Sequence, residues 1–336
     1  MAVNNVGHIR SVFRLKKMPG NVRWHDRLSR FPVLRRFSQR ALRSSLIPAS
    51  GFFVYRNNQE ERTIRFNGRN LQFHALYESG YRSGYELESA VLMMHLCHGQ
   101  DAFLDIGSNW GYFSLLMASL KEFTGPIFAF EPNPRTFADL ASMVEQAGLA
   151  ARIQPLNLGI GGKNCQMSLH EPDPLRTGLA SLSESGDGQK ISVKPLDELN
   201  LPAPRMIKID AEGMEAEVLR GMGKTLDTIQ PFVLFENFLD PLDPAQTCRP
   251  LEIFEAHGYR LYAPALLFRQ GGHLVPATYG SDFNLLLERD PRPQLGLFEV
   301  NLKNRFFLGR QLNILAVHPT KMAAVWQAGI LDLSRP

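Results

Sequence analysis

The sequence predicts an α/β fold with a mostly parallel central sheet flanked by helices, and three observations predict it. From residue 102 onward short apolar runs alternate with helical stretches, a glycine turn Asp105-Ile-Gly107-Ser-Asn-Trp-Gly111 follows the first run, and a carboxylate, Glu131, closes the second. Strands alternating with helices imply βαβ units, a parallel sheet and right-handed crossovers. In such a sheet ligands bind outside the carboxyl ends of the strands, where the strand order reverses.

Residues 1–50 read as a basic arm, partly helical. Between residues 8 and 43 stand eleven arginines and lysines against Asp26 alone, a net +10, so the rest of a chain whose total is +4 carries −6. Leu28, Phe31, Leu34, Phe37, Ala41 and Leu42 recur at three- and four-residue steps, the spacing of an amphipathic helix, interrupted near Pro32. Such a helix can lie on an anionic membrane or touch an acidic partner; the plainer reading is a solvated arm packed loosely on the main domain. Residues 51–84 read as a small strand-rich or lid segment, in which Thr63-Ile-Arg-Phe-Asn67 alternates polar and apolar side chains and Asn67-Gly68 predicts a hairpin turn.

The main domain is expected over residues 85–320. Leu87, Val91, Leu92 and Leu96 predict a helix with one buried face over 86–97, ended at His98-Gly99. Strands are then expected at 103–106, 126–130, 153–158, 191–193, 206–209 and 232–235, with helices at 112–120, 135–147 and 216–221 and a polar, Gly- and Ser-rich stretch at 177–188. A helix at 251–257 and a strand at 258–262 follow. Residues 264–310, rich in Gly, Pro and aromatics, read as an insertion, 312–317 as the last strand, and 321–336 as a tail.

Composition sets limits. Apolar and charged fractions of 44% and 21% fit a globular chain and exclude bulk disorder. No apolar run approaches the roughly 18 residues of a bilayer span, and the arginine-rich start lacks the apolar core of a secretory signal. Cys97, Cys165 and Cys248 are far apart and odd in number, which fits neither a zinc spacing nor a disulfide framework. The expectation is a cytoplasmic protein, peripheral to the membrane if the arm docks there.

The candidate site begins at the first strand end. Gly107 permits a tight turn, Gly111 lets the next helix approach the sheet, and that helix's free N–H groups face the crevice. Asp105 can receive the ammonium of an amino-acid moiety. Asn109 stands where the dinucleotide fingerprint has its second glycine, so a diphosphate cofactor is disfavoured. Glu131, in Ile127-Phe-Ala-Phe-Glu-Pro-Asn133, is placed to accept hydrogen bonds from ribose hydroxyls. Asn157, at the third strand end, faces the place of a base. A glycine turn with a second-strand carboxylate points to a nucleoside ligand; the competing reading is a turn with a coincidental surface glutamate.

Four motifs in this order carry a resemblance: Leu104-Asp-Ile-Gly-Ser-Asn-Trp-Gly-Tyr-Phe-Ser114, Ala129-Phe-Glu-Pro-Asn133, Pro195-Leu-Asp197 and Ile207-Lys-Ile-Asp-Ala-Glu-Gly-Met-Glu-Ala-Glu-Val-Leu-Arg-Gly221. Together they resemble the FkbM family of methyltransferases over about residues 85–240, with Asn313-Ile-Leu-Ala-Val317 similar to the family's last strand. The resemblance implies the Rossmann-like class I methyltransferase fold, here with an N-terminal extension and a C-terminal insertion, and S-adenosyl-L-methionine as cofactor. It implies O-methylation of a saccharide or small-molecule hydroxyl. Asp105, Gly107, Asn109 and Gly111 would surround the methionine part, with Glu131 on the ribose; Asn133 belongs to the same acidic motif. Ser108 stands where the family commonly has alanine.

For the chemistry, Asp210 and Glu212 at the fourth strand end are the preferred pair, as general base or as orienters of the acceptor hydroxyl. Glu215 can instead stabilise the turn or the first turn of the helix. A less favoured alternative makes Asp210, Glu212 and Glu236 or Asn237 oxygen ligands of a divalent metal, and a third makes them a capping cluster. His95-Leu-Cys97-His98 reads as surface or cap residues rather than a metal site. Tyr77, Tyr81 and Tyr85 form a candidate lid, and Trp110 and His170 are weaker site candidates. The arm also raises an RNA methyltransferase, but the sequence lacks an amino-methylation motif of the Asn-Pro-Pro-Tyr type, so a nucleic-acid partner is disfavoured. A non-catalytic cofactor-binding scaffold is the reading outside catalysis.

Overall fold

The structure, a computed structural model, describes residues 5–58, 60–173, 175, 181–183, 187–277 and 282–334. The chain opens with a helix, Asn5–Val12, and runs into strand β1 (Phe13–Lys17). β1 pairs antiparallel with β2 (Ser50–Arg56), which pairs with β3 (Glu61–Asn67) in a small meander. Val6, Ile9 and Val12 are buried in the main core, so this part of the basic arm is built into the body rather than loosely packed. Its apolar residues sit inside an Arg- and Lys-rich run, which hid them from a reading based on charge. β2 and β3 are joined ahead of Glu61, where Asn57 N–H donates to the Glu60 carbonyl at 3.1 Å, and not at Asn67-Gly68. There the chain leaves β3, with Gly68 N–H bonded to Ala49.

The main sheet follows the predicted alternation. β4 (Ala102–Ile106), β5 (Ile127–Phe130) and β6 (Ile153–Leu156) are parallel neighbours. Four strands then form a side sheet: β7 (Gly159–Ile160), β8 (Cys165–His170), β9 (Ser181–Ser183) and β10 (Lys190–Lys194), in the order β7-β10-β8-β9. The strand expected at 191–193 therefore belongs to this second sheet. Of the polar stretch expected at 177–188, residues 177–180 and 184–186 lie outside the described residues, as do 278–281 of the expected insertion.

The chain returns to the centre with β11 (Pro204–Ile209), parallel to β4, and β12 (Phe232–Phe238), parallel to β11. β13 (Arg260–Gln270), β14 (His273–Ala277), β15 (Gln294–Val300), β16 (Gln311–Val317) and β17 (Leu331–Asp332) complete it. The order is β17-β15-β13-β16-β12-β11-β4-β5-β6, with β14 paired to β13 and with β16 antiparallel to both its neighbours. The expected insertion at 264–310 thus holds the end of β13, β14, a helix, Phe283–Arg289, and β15, and its strands extend the far edge of the sheet. Strand order reverses between β4 and β11, so the crevice opens there.

Side chains alternate across this sheet with the period of two that a strand imposes. Phe103, Ile127, Ala129, Met206, Phe232 and Leu234 face one core layer, while Leu104, Ile106, Phe128, Phe130, Ile207 and Phe235 face the other. Both faces are covered, which is why these strands read as continuous apolar runs. The helix Leu87–Leu96 is buried over most of its circumference, not along one face, because the first helix packs on its outer side. Helix Pro134–Gln146 starts where Asn133 caps Arg135 N–H and proline takes the first helical position.

Candidate functional site

A cavity of about 290 Å³ opens at the switch point. Its floor is the glycine turn after β4. Gly107 has φ +78°, and a Cβ there would sit 1.8 Å from the Asp210 carbonyl oxygen, so only glycine lets the ends of β4 and β11 come this close. Gly111, with φ +90°, faces Leu140 across 2.7 Å from an imagined Cβ; it shapes the helix approach and does not line the cavity. Gly107 and Ser108 N–H groups both donate to the Phe130 carbonyl, pinning the turn to β5.

Glu131 ends β5 inside this cavity. Its carboxylate accepts from Asn109 N–H at 3.0 Å and Asn133 N–H at 2.9 Å. Burial pushes its carboxyl up to about 8, against the pull of those two N–H groups. Asn109 lies in the left-handed region, with φ +50°, and its side chain accepts from Trp110 N–H. The Asn133 side chain is spent on capping Arg135 N–H and donating to Glu171. Asn157 lies outside the cavity lining: its amide donates to the Glu131 and Pro132 carbonyls at 2.9 Å and holds the loop that carries Glu131. The wall beyond β6 is instead apolar, made by Leu158, Ile160, Leu169 and Leu182.

The opposite wall is charged. Lys208, buried at the end of β11, lies 3.1 Å from Asp210 and 4.7 Å from the centre of the Phe113 ring. Burial alone would depress its ammonium, but Asp210, Glu86, Asp105 and Glu236 together raise it, so it stays charged. Asp105 is fully enclosed and accepts from the Ser114 hydroxyl at 2.6 Å; burial pushes its carboxyl up and Lys208 draws it back. Glu236, bonded to Gln311, is pushed up to about 9 by burial and then by Asp210 and Glu86. Glu86 and Lys208 were not singled out in the sequence as site residues. Glu86 has φ +43° and accepts from Asn313 at 3.1 Å across the sheet, a contact that only the fold creates.

Asp210 and Glu212 both line the cavity, Asp210 beside Lys208 and Glu212 exposed on the rim with φ +48°. Glu215 closes this turn by accepting from Ala211 and Gly213 N–H groups. Among the described residues no three His, Cys, Asp or Glu side chains form a metal-ligating group, so Asp210, Glu212 and Glu236 are not gathered as a ligand set. The centre of the acidic cluster is taken by the Lys208 ammonium. Asn237 is likewise committed elsewhere, to Thr247 and Arg305.

Tyr81 and Tyr85 line the rim with His74, ring centres 5.1–5.8 Å apart. Tyr77 does not; it packs under the helices of the arm with Val22 and Leu42. Trp110 touches the cavity but is chiefly core, stacked on Phe73 at 4.8 Å and donating to the Gln72 carbonyl. His95 bonds Asn5 and Val91, His98 meets Arg205, and His170 lies outside the lining.

A mostly parallel sheet with a glycine turn and a second-strand carboxylate at its switch point is a Rossmann-like arrangement. Residues 101–261, a little under half of the chain, match the family model of the methyltransferase FkbM domain. The chain is 32% identical to the hexuronic acid methyltransferase AglP of Haloferax volcanii, over 45% of this chain and 63% of that protein. It therefore spans less than two thirds of that relative. Among solved structures it is similar to the methyltransferase FkbM of Methylobacillus flagellatus, at 19% identity and TM-score 0.36, over 51% of this chain and 40% of that one. It is also similar to the precorrin-6y C5,15-methyltransferase of Geobacter metallireducens, at 15% identity and TM-score 0.37, over 70% and 88%.

Proposed function

We propose that the protein transfers a methyl group from S-adenosyl-L-methionine to a hydroxyl of a saccharide. The observation that carries this reading is the buried Glu131 carboxylate, held by two backbone N–H groups beside the Gly107 turn and facing the cavity. A carboxylate so fixed has lone pairs left for two ribose hydroxyls. The apolar wall of Leu158, Ile160 and Leu182 suits a base, and the carboxyl groups of Asp105 and Glu236 on the opposite wall suit the ammonium and sulfonium charges. The residues present therefore fit the cofactor, which when bound supplies an activated methyl group.

The chain's own part is to position the acceptor and manage its proton. Asp210, held by Lys208, is proposed to orient the acceptor hydroxyl and take its proton, and Glu212 on the rim to bind the acceptor. The identity to a hexuronic acid methyltransferase supports an acidic saccharide as the acceptor class. The test is incubation with methyl-labelled cofactor against pools of uronate-containing saccharides, neutral saccharides, small-molecule alcohols and RNA. Label in a saccharide fraction supports the reading; label confined to RNA, or cofactor binding in calorimetry with no transfer to any pool, overturns it.

A further inference from the structure

We propose that the helical hairpin of residues 20–43 docks the protein on an anionic lipid surface. Its helices, Gly20–Ser29 and Arg35–Arg43, pack together and onto the body through Val22 and Leu42, against Leu71 and Tyr77. The amphipathic spacing therefore buries one face of each helix, but it does not bury the large apolar side chains of the other. Trp24 is 49% exposed, Phe31 60%, Val33 86% and Phe37 53%, and Leu46 just beyond is 92% exposed.

Arginines stand between them. Arg23, Arg27, Arg30, Arg36, Arg40 and Arg43 are all exposed, and Asp26 is the only acid between residues 8 and 43. None of Arg23, Arg27, Arg30 and Arg36 has an ion-pair partner among the described residues. Arg43 reaches Asp173 at 3.6 Å, and Arg40 lies over the Phe37 ring at 5.5 Å.

An occupant must satisfy both halves of this surface. Nucleic acid would satisfy the arginines through phosphate but leaves Val33 and Leu46 in water, and base stacking has no use for aliphatic side chains. A bilayer with acidic headgroups meets both: the guanidinium groups reach lipid phosphates while the apolar side chains enter the headgroup–acyl boundary. Leu71 and Tyr77, under the hairpin, flank Gln72 and His74 on the cavity rim, so docking would set the orientation of the site to the surface. The inference does not depend on which reaction the site performs.

Co-sedimentation of the full chain with vesicles of phosphatidylcholine, alone or mixed with phosphatidylglycerol, tests it. Binding is expected to the mixed vesicles only, with Trp24 fluorescence shifting to shorter wavelength on binding. Each of Arg27→Gln, Arg30→Gln and Arg36→Gln should weaken it about fivefold, and Phe31→Ser with Phe37→Ser should remove the part that survives high salt. All of these side chains are exposed, and an unchanged melting transition checks the fold. No binding to mixed vesicles, binding indifferent to the Phe31 and Phe37 changes, or duplex RNA displacing the vesicles at equal salt would each overturn the proposal.

Discussion

Gly107 and Asp210 meet across the ends of β4 and β11 so closely that a single added methyl would lie 1.8 Å from the Asp210 carbonyl oxygen. The contact fixes the mouth of the crevice, because Asp210 N–H also bonds the Ile106 carbonyl at 2.9 Å. Gly107→Ala imposes a positive φ on a residue with a Cβ and an overpacked contact at once. The expected cost is about 2–5 kcal/mol of stability. In calorimetry, S-adenosylhomocysteine binding should be lost before the fold is. A variant that melts and binds like the parent would show that the two strand ends separate freely.

Glu131→Gln replaces a side chain whose two oxygens both accept by one whose NH2 end must face an N–H. One of the bonds from Asn109 and Asn133 is then lost in a buried site, at about 1–3 kcal/mol. The pH dependence has a defined sign. A carboxyl with an ordinary value of 4.5 that titrates near 8 when folded holds its proton more tightly in the folded state, so its stabilising contribution is full below pH 4.5 and is lost as pH rises toward 8. The protein without ligand should lose stability across that window, and the loss should be shallower in Glu131→Gln. Equal pH profiles for the two proteins in thermal melts would reject this account of Glu131.

Lys208 is the single cation among Glu86, Asp105, Asp210 and Glu236 in the described residues. Lys208→Met leaves those carboxylates facing one another in a low-dielectric pocket, and should cost roughly 3–5 kcal/mol, more at pH 8 than at pH 6. Asp210→Asn is different in kind. It keeps the shape and should lower turnover by roughly 10²–10⁴-fold while leaving S-adenosylhomocysteine affinity near that of the parent. Glu212→Gln, out on the rim, should affect the acceptor KM more than kcat. If Asp210→Asn weakens S-adenosylhomocysteine and leaves kcat intact, Asp210 belongs to cofactor binding instead.

The sheet was legible wherever burial on both faces forced an unbroken apolar run between turn residues, as at 103–106 and 206–209, both in β4 and β11 as expected. The glycine turn and Glu131 were legible because backbone geometry restricts which residues can stand there. β1 was not, since Phe13 and Leu15 alternate with Arg14, Lys16 and Lys17 and read as part of a charged arm. Asn157 was misplaced for a related reason: position at a strand end says that a side chain is near the crevice, not which way it points, and here it turns back to the Glu131 loop. Glu86 lay beyond any local pattern, because its partners Lys208 and Asn313 are joined to it only through the closed sheet.

Glu88, in the first turn of the helix Leu87–Leu96, is 2% exposed, and neither carboxyl oxygen has a hydrogen-bond partner among the described residues. Burial pushes its carboxyl up to about 7. Below pH 4.5 the side chain is protonated in folded and unfolded chains alike; between 4.5 and about 7 the unfolded chain ionises first, so stability drains away as pH rises through that window. At pH 8 the folded protein carries a buried, unpartnered charge that nothing in the cavity uses, since Glu88 does not line it. Glu88→Gln keeps the volume and removes the charge, and at pH 8 should stabilise the protein by about 1–3 kcal/mol, seen as a rise in Tm. At pH 4, where folded and unfolded chains both keep the proton, the gain should nearly vanish. A Tm rise of the same size at both pH values would mean that packing, not ionisation, sets the cost of Glu88.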